Sequence, residues 1–188
     1  MKTMREDAAA AVKWWRRLQP YLMNGARNPT GDRAALARLR RADLFAAMEE
    51  PETLVLFHTL GRRSPDHLPS VALCAAVLSG VRAEPGKRLP REHPARSLGP
   101  ASLDAVEAAL MKPLRFRRLI EAESEEDRLI ALRRAVQLAD RRLNPFELAA
   151  ACLDWSDERR RRWIFEYYNA GAAAPGGKAE PEPEDDAA

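Results

Sequence analysis

The chain has 188 residues and a net charge of +3, with 46% apolar and 31% charged residues. That is enough apolar material for one compact domain, or for two small lobes sharing a core. No apolar run reaches the ~18 residues needed to span a bilayer. The acid-bearing start, Met1 to Asp7, also lacks a signal-peptide apolar segment, so a cytoplasmic protein without membrane contact is expected.

Apolar residues recur at helical spacing and no stretch alternates with period two, which predicts an all-α chain. The first helix is predicted from about Asp7 to Leu18, with Ala11, Trp15 and Leu18 on one stripe and Pro20 ending it. Asn24-Gly25 to Pro29-Thr30-Gly31 reads as a loop. Asp32 caps a helix through Asp43, a short element follows from Leu44 to Glu50, and Pro51 opens a helix ending near Gly61. The segment from Asp66 to Arg82 is apolar on every face between Val71 and Leu78, as suits a helix in the middle of a bundle. Glu84 to Pro100 holds four prolines without periodicity and reads as a long loop. Beyond it come helices from Ser102 to Met111, Pro113 to Glu121, Ser124 to about Asp140, Asn144-Pro145 to Leu153, and Ser156 to about Gly171.

The expected architecture is therefore a two-lobed helical bundle of about eight or nine helices. Its parts are an N-terminal lobe over 5–83, a connecting loop over 84–100, a C-terminal lobe over 101–171 and an acidic, disordered tail over 172–188. The tail holds Lys178 against Glu180, Glu182, Glu184, Asp185 and Asp186, so it carries −4 and the rest of the chain +7. Shielding of a basic face by this tail is expected, so that its deletion tightens nucleic-acid binding.

Signals for catalysis are missing from the sequence. His58, His67 and His93 have no ligand spacing with each other or with Cys74 and Cys152, whose apolar settings suit buried, reduced thiols. Gly80 to Gly86-Lys87 is one residue too long for a phosphate loop and lacks the following Ser or Thr. The acidic clusters Glu49-Glu50-Glu52 and Glu121 to Asp127 fall at predicted helix ends, where capping explains them better than a metal-dependent nuclease. No enzyme activity, metal, cofactor or small-molecule substrate is expected.

Arginine carries the informative pattern. Of the 31 basic residues 26 are Arg, and several fall on faces turned away from the predicted core. At 100° per residue, Leu129, Leu132, Val136 and Ala139 form the core stripe of their helix. Arg134 points almost opposite, as does Arg141 if the helix runs one residue further, and Arg133 takes a flank. On the helix after Asp32, Leu36 and Leu39 mark the core, Arg33 and Arg40 share a flank, and Arg41 lies beside them. Arg117 and Arg118 form a third pair, and Arg38 and Arg142 complete the candidate set. Unbalanced guanidinium groups suit phosphate, which their planar fork grips bidentately without reading sequence. Reversing Arg133 and Arg134 together is expected to weaken binding and spare the fold.

The run Arg159-Arg160-Arg161-Arg162 circles its helix, so some of it must pair with acids such as Asp154 or Glu158. Trp14, Trp15, Trp155, Trp163, Phe165, Tyr167 and Tyr168 read as packing rather than as a base-stacking platform. A helix-turn-helix over Thr53 to Arg82 fails because its recognition helix would be the most apolar segment of the chain.

Taken in order, several pieces resemble one family: Trp14-Trp15-Arg16-Arg17-Leu18, Gly31 to Arg41, Ser97-Leu98-Gly99, Phe116-Arg117-Arg118-Leu119, Leu132-Arg133-Arg134, Asn144-Pro145-Phe146-Glu147-Leu148, Asp154-Trp155 and Arg162-Trp163 to Tyr167-Tyr168. The chain resembles the CasB family, the small subunit of the type I-E CRISPR Cascade complex, over about Ala10 to Gly171. The resemblance implies a two-lobed, non-catalytic helical protein of antiviral defence. Two copies would pack head to tail beside other Cascade subunits, with guide RNA and target DNA, and help hold the target and displaced strands of the R-loop. The family's basic surface would fall on Arg40, Arg41, Arg117, Arg118, Arg133 and Arg134. Sequence reading in such complexes is left to the guide RNA. The alternative is a helical scaffold whose arginine faces dock partner proteins rather than nucleic acid.

Overall fold

The computed structural model describes residues 3–22, 24–82 and 88–170. The tail over 172–188 and the start of the 84–100 loop, with Gly86-Lys87, lie outside the described residues. Among the described residues the chain is all-helical, apart from one isolated antiparallel bridge between Tyr21 and Arg27.

Side-chain caps set most of the helix starts. Helix α1, Met4–Leu18, begins earlier than its apolar stripe predicts, because Thr3 and Glu6 form a reciprocal capping box. Asp32 caps α2, Arg33–Arg41, by accepting from the Ala35 amide at 2.8 Å. Asp43 does the same for α3, Leu44–Glu49, at the Ala46 amide. Pro51 opens α4, Pro51–Thr59, and Gly61, at φ 69°, turns the chain out of it. A 3₁₀ turn, Pro65–His67, leads into α5, Leu68–Gly80.

The 84–100 loop is not wholly irregular. It contains α6, Pro94–Leu98, capped by His93, whose Nδ1 accepts from the Ala95 amide at 3.2 Å. The helix expected from Ser102 to Met111 is instead a 3₁₀ segment, Leu103–Ala108, broken at Ala105. Ser102 makes no side-chain cap there. Leu103 is 54% exposed, so no apolar face anchors a full helix at this point. Helices α7, Pro113–Ile120, α8, Glu125–Leu138, α9, Pro145–Leu153, and α10, Asp157–Tyr167, complete the chain. Ser124 and Asn144 cap α8 and α9 through the Asp127 amide and the Phe146 and Glu147 amides.

Helix α5 is the axis of the fold. Every residue from Val71 to Ser79 is buried, and α1, α2, α3, α4, α8 and α9 all pack on it. Full burial of each Val or Leu contributes roughly 1.5–3 kcal/mol, which makes an all-round apolar helix a strong organiser. It also removes α5 as a recognition helix. Cys74 on α5 and Cys152 on α9 are buried and unbridged. The neighbouring Cys152 thiol and burial push the Cys74 thiol well above its usual pKa.

The buried cluster is continuous from Ala8 on α1 to Tyr167 on α10. At the far end, Phe116 stacks on Tyr167 at 3.8 Å, and Trp163 meets His93 and Trp155 edge to face. Packing explains Trp14, Trp15, Trp163 and Tyr167, all buried, but Ile164 and Phe165 are 40% and 48% exposed.

Burial pushes the His93 pKa down to about 4. Glu166 opposes this, and Arg162, Arg159 and Arg96 add to it. The folded state thus prefers neutral His93, while the unfolded chain takes up a proton near pH 6.5. The corresponding stability is complete above pH 6.5 and is lost as pH falls toward 4. One proton taken up on unfolding gives a slope approaching about 1.4 kcal/mol per pH unit in that window. An NMR titration of the imidazole should place its midpoint near 4, and a midpoint near 6.5 would contradict the buried neutral cap.

Candidate nucleic-acid interface

Where α8 ends, the backbone does something helical phase does not anticipate. The helix stops at Leu138, and Asp140 and Arg141 take left-handed conformations, φ 49° and 62°. Arg141 therefore does not continue the face of Arg134, which corrects the extended-helix reading. The turn sends Arg141 toward α2 and the end of α5. Its carbonyl accepts from the Arg82 amide at 3.0 Å, which ties the two segments together.

The result is a notch lined by Arg40, Gly80, Arg133, Gln137 and Arg141, with a volume of about 30 Å³. Arg40 donates from Nε to the Ser79 carbonyl at 3.2 Å, and Arg133 from Nη2 to the Leu39 carbonyl at 2.7 Å. These bonds fix the two guanidinium groups, and the Arg133 Nε is left buried without an acceptor. Partial burial lowers the pKa of Arg40, and repulsion from Arg141, Arg82 and Arg41 lowers it further. Burial lowers that of Arg133 as well, against the pull of Asp43. Among the described residues no carboxylate lies within 4.0 Å of any of these five guanidinium groups. Arg82 was missed by the sequence reading, because it follows a buried helix and belongs to no amphipathic face.

The other candidates are dispersed. Arg38 is paired with Glu50, donating from Nε to both carboxylate oxygens at 3.0 Å. Arg33 stands 5.8 Å from the centre of the Tyr21 ring. Arg142 donates to the Arg88 carbonyl at 3.0 Å. Arg117 and Arg118 are exposed on α7. Arg118 shares a separate cleft with Arg115 and Arg134, but Glu121 and Asp127 line it too, so its field is mixed. Arg133 and Arg134 are thus not equivalent, and reversing Arg133 would strike a half-buried, hydrogen-bonded group rather than a fully exposed one. In the run on α10, Arg159 pairs with Asp154 at 3.5 Å, Arg160 with Asp157, and Arg162 with Glu166 at 3.5 Å.

Among the described residues no helix is long and apolar enough to cross a membrane, and no group of three or more His, Cys, Asp or Glu is placed to hold a metal ion. Residues 35–168 match the family model of the CRISPR-associated protein Cse2. The chain belongs to the Cse2 family. Cse2 is the small subunit of type I-E Cascade, the family called CasB above, so the chain is a type I-E CRISPR Cascade subunit and other Cascade subunits are its partners. The family is structural and is not known for catalysis. The match takes in the whole notch, from Arg40 to Arg141, and leaves out α1 and the tail. No curated protein and no solved structure matches the chain.

Proposed function

We propose that this Cse2-family chain grips nucleic-acid backbone without reading sequence, and so stabilises the target and displaced strands of the Cascade R-loop. The observation that carries this reading is the cluster of Arg40, Arg133 and Arg141 at the notch with Arg41 and Arg82 beside it, none of them within 4.0 Å of a carboxylate among the described residues, although Asp43 acts on Arg133 from further away. The volume of the notch is that of about one water molecule. A single phosphate oxygen enters it, and the phosphorus stays at the rim. Arg41 and Arg82, both exposed, then take neighbouring oxygens or the next phosphate. Arg33, Arg117, Arg118 and Arg134 extend the field at longer range, while Arg38 and Arg142 position their own neighbourhood.

Two copies side by side would lengthen this track along the complex. The α7–α8 side carries exposed Leu114 and Ile130, 62% and 61%, which suits it to contact with another subunit. Guide RNA with target DNA supplies the sequence reading.

A mobility-shift titration with single-stranded and duplex DNA at two salt concentrations tests the reading. Binding should be indifferent to sequence and fall steeply with salt, with a slope of about −0.7 per contacted phosphate on a single strand. Assembly into Cascade without any DNA or RNA binding at low salt would favour the protein-docking scaffold instead.

A further inference from the structure

A second, larger cleft, of about 640 Å³, lies between α1, the segment 88–91 and the start of α9. Two side-chain bonds hold its outer wall. Arg142 donates to the Arg88 carbonyl at 3.0 Å, and Asn144 to the Arg91 carbonyl at 2.8 Å. Four cations line the cleft, Lys13, Arg16, Arg88 and Arg91, and no carboxylate does. Its apolar surface includes Tyr21, 39% exposed, and the half-buried Phe146. Trp15 also lines it, 1% exposed, and its indole N–H has no acceptor.

We infer that this cleft is a binding site for an acidic, proline-containing peptide, and that the chain's own segment 179–186 occupies it. That segment reads Ala-Glu-Pro-Glu-Pro-Glu-Asp-Asp. Its carboxylates match the four unopposed cations. Its prolines match the aromatic walls, since proline-rich segments dock in aromatic-lined grooves with little ordering cost.

The connection is long enough. The Tyr167 carbonyl abuts Gly99, immediately after α6. From there to Arg91 the path along α6 is about 25 Å at most. Residues 170 to 182 span up to about 40 Å when extended. Tethering also raises the local peptide concentration toward the millimolar range, so weak contacts suffice.

The five lysines of the sequence make the test direct, using the full-length chain. A zero-length carbodiimide couples carboxylates to ammonium groups that they touch, and peptide mass spectrometry locates the links. The expected link joins Glu180, Glu182 or Glu184 to Lys13. Lys112 is the internal control. It adjoins Met111, whose carbonyl accepts from the Tyr167 hydroxyl, so it lies near the exit of α10 and a freely swinging tail meets it first. A mixture of light and heavy-isotope chains separates links within a chain from links between chains. The variant Arg16→Glu/Arg91→Glu, which alters two exposed side chains, should lower the Lys13 link by roughly tenfold or more, the worth of two exposed ion pairs, without shifting the melting temperature.

Links to Lys112 equal to or above those to Lys13 would overturn the proposal. So would links only between chains, or a Lys13 link unchanged in the variant. Photo-crosslinking of a single-stranded oligonucleotide to Tyr21 or Phe146, with no tail link, would make the cleft a nucleic-acid site and overturn it as well. The link is read without nucleic acid, so failure here leaves the backbone-grip reading standing, and failure of that reading leaves this one standing.

Discussion

Reversing Arg41, Arg82 and Arg141 together to Glu should lower affinity for single-stranded DNA by one to two orders of magnitude or more, and should flatten its salt dependence by about 2 units of log–log slope, the loss of three phosphate contacts. The change takes the net charge from +3 to −3, so a nonspecific loss of affinity must be separated from a local one. The control is the reversal of Arg5, Arg63 and Arg161, three exposed arginines outside the notch, which makes the same change in net charge. If the control variant binds as weakly as the notch variant, the notch holds no special contact. Stability gives a second reading. The three arginines repel Arg40, so their removal relieves the fold. The melting temperature of the notch variant should be unchanged or higher, which distinguishes lost contacts from lost structure. Arg40 and Arg133 are left intact because their hydrogen bonds to the Ser79 and Leu39 carbonyls are part of the scaffold.

Gly99→Ala should cost about 1–3 kcal/mol or more, lowering the melting temperature of a chain of this size by roughly 5–10 °C. The φ angle at Gly99 is −78°, which any residue can adopt, so the demand for glycine comes from space. An added Cβ would lie 2.0 Å from the Tyr167 carbonyl oxygen and 2.9 Å from its carbon. Those are backbone atoms at the end of α10, locked by the stacking of Tyr167 on Phe116 and by its hydroxyl bond to Met111. They have no flexible way to yield. Thermal denaturation followed by circular dichroism reads the effect, and a variant melting with the parent would show that α10 can shift. Gly61→Ala is the useful contrast, because a Cβ there meets nothing within 4 Å and only the left-handed φ of 69° opposes it.

Much of the fold was legible because its signals are local. Pro51, Asp32, Ser124 and Asn144 announce helix starts through chemistry that acts within three residues, whereas Asp43, read as the end of one helix, is the cap of the next. The uniform apolarity of Val71 to Leu78 announces a central helix, because no other place in a bundle accepts it. The Leu103–Ala108 segment was misread because a cap residue and helix-forming composition do not make a helix without a face to bury. The phosphate-binding candidates were half legible. Helical phase put Arg40, Arg41, Arg133 and Arg134 off the core, but it had no means of showing that Arg38 meets Glu50 across twelve residues. Nor does any single-helix argument bring Arg82 and Arg141 together, since their meeting depends on a left-handed turn and on two segments 59 residues apart. The family match, rather than arginine content, made Cascade the setting.

The left-handed turn after α8 has one further consequence. By bringing Arg141 against Arg40, on which Arg82 and Arg41 also act, it makes the empty protein bear a like-charge repulsion that a bound anion would relieve. The arginines come from three separate stretches of chain, so an unfolded molecule has no such cluster and no comparable affinity. On the proposed backbone grip, nucleic acid would be a ligand of the native state alone, and its binding free energy would add to folding stability by mass action. On that reading the subunit would be most stable when in use, and a strand that it held would also help to hold it together.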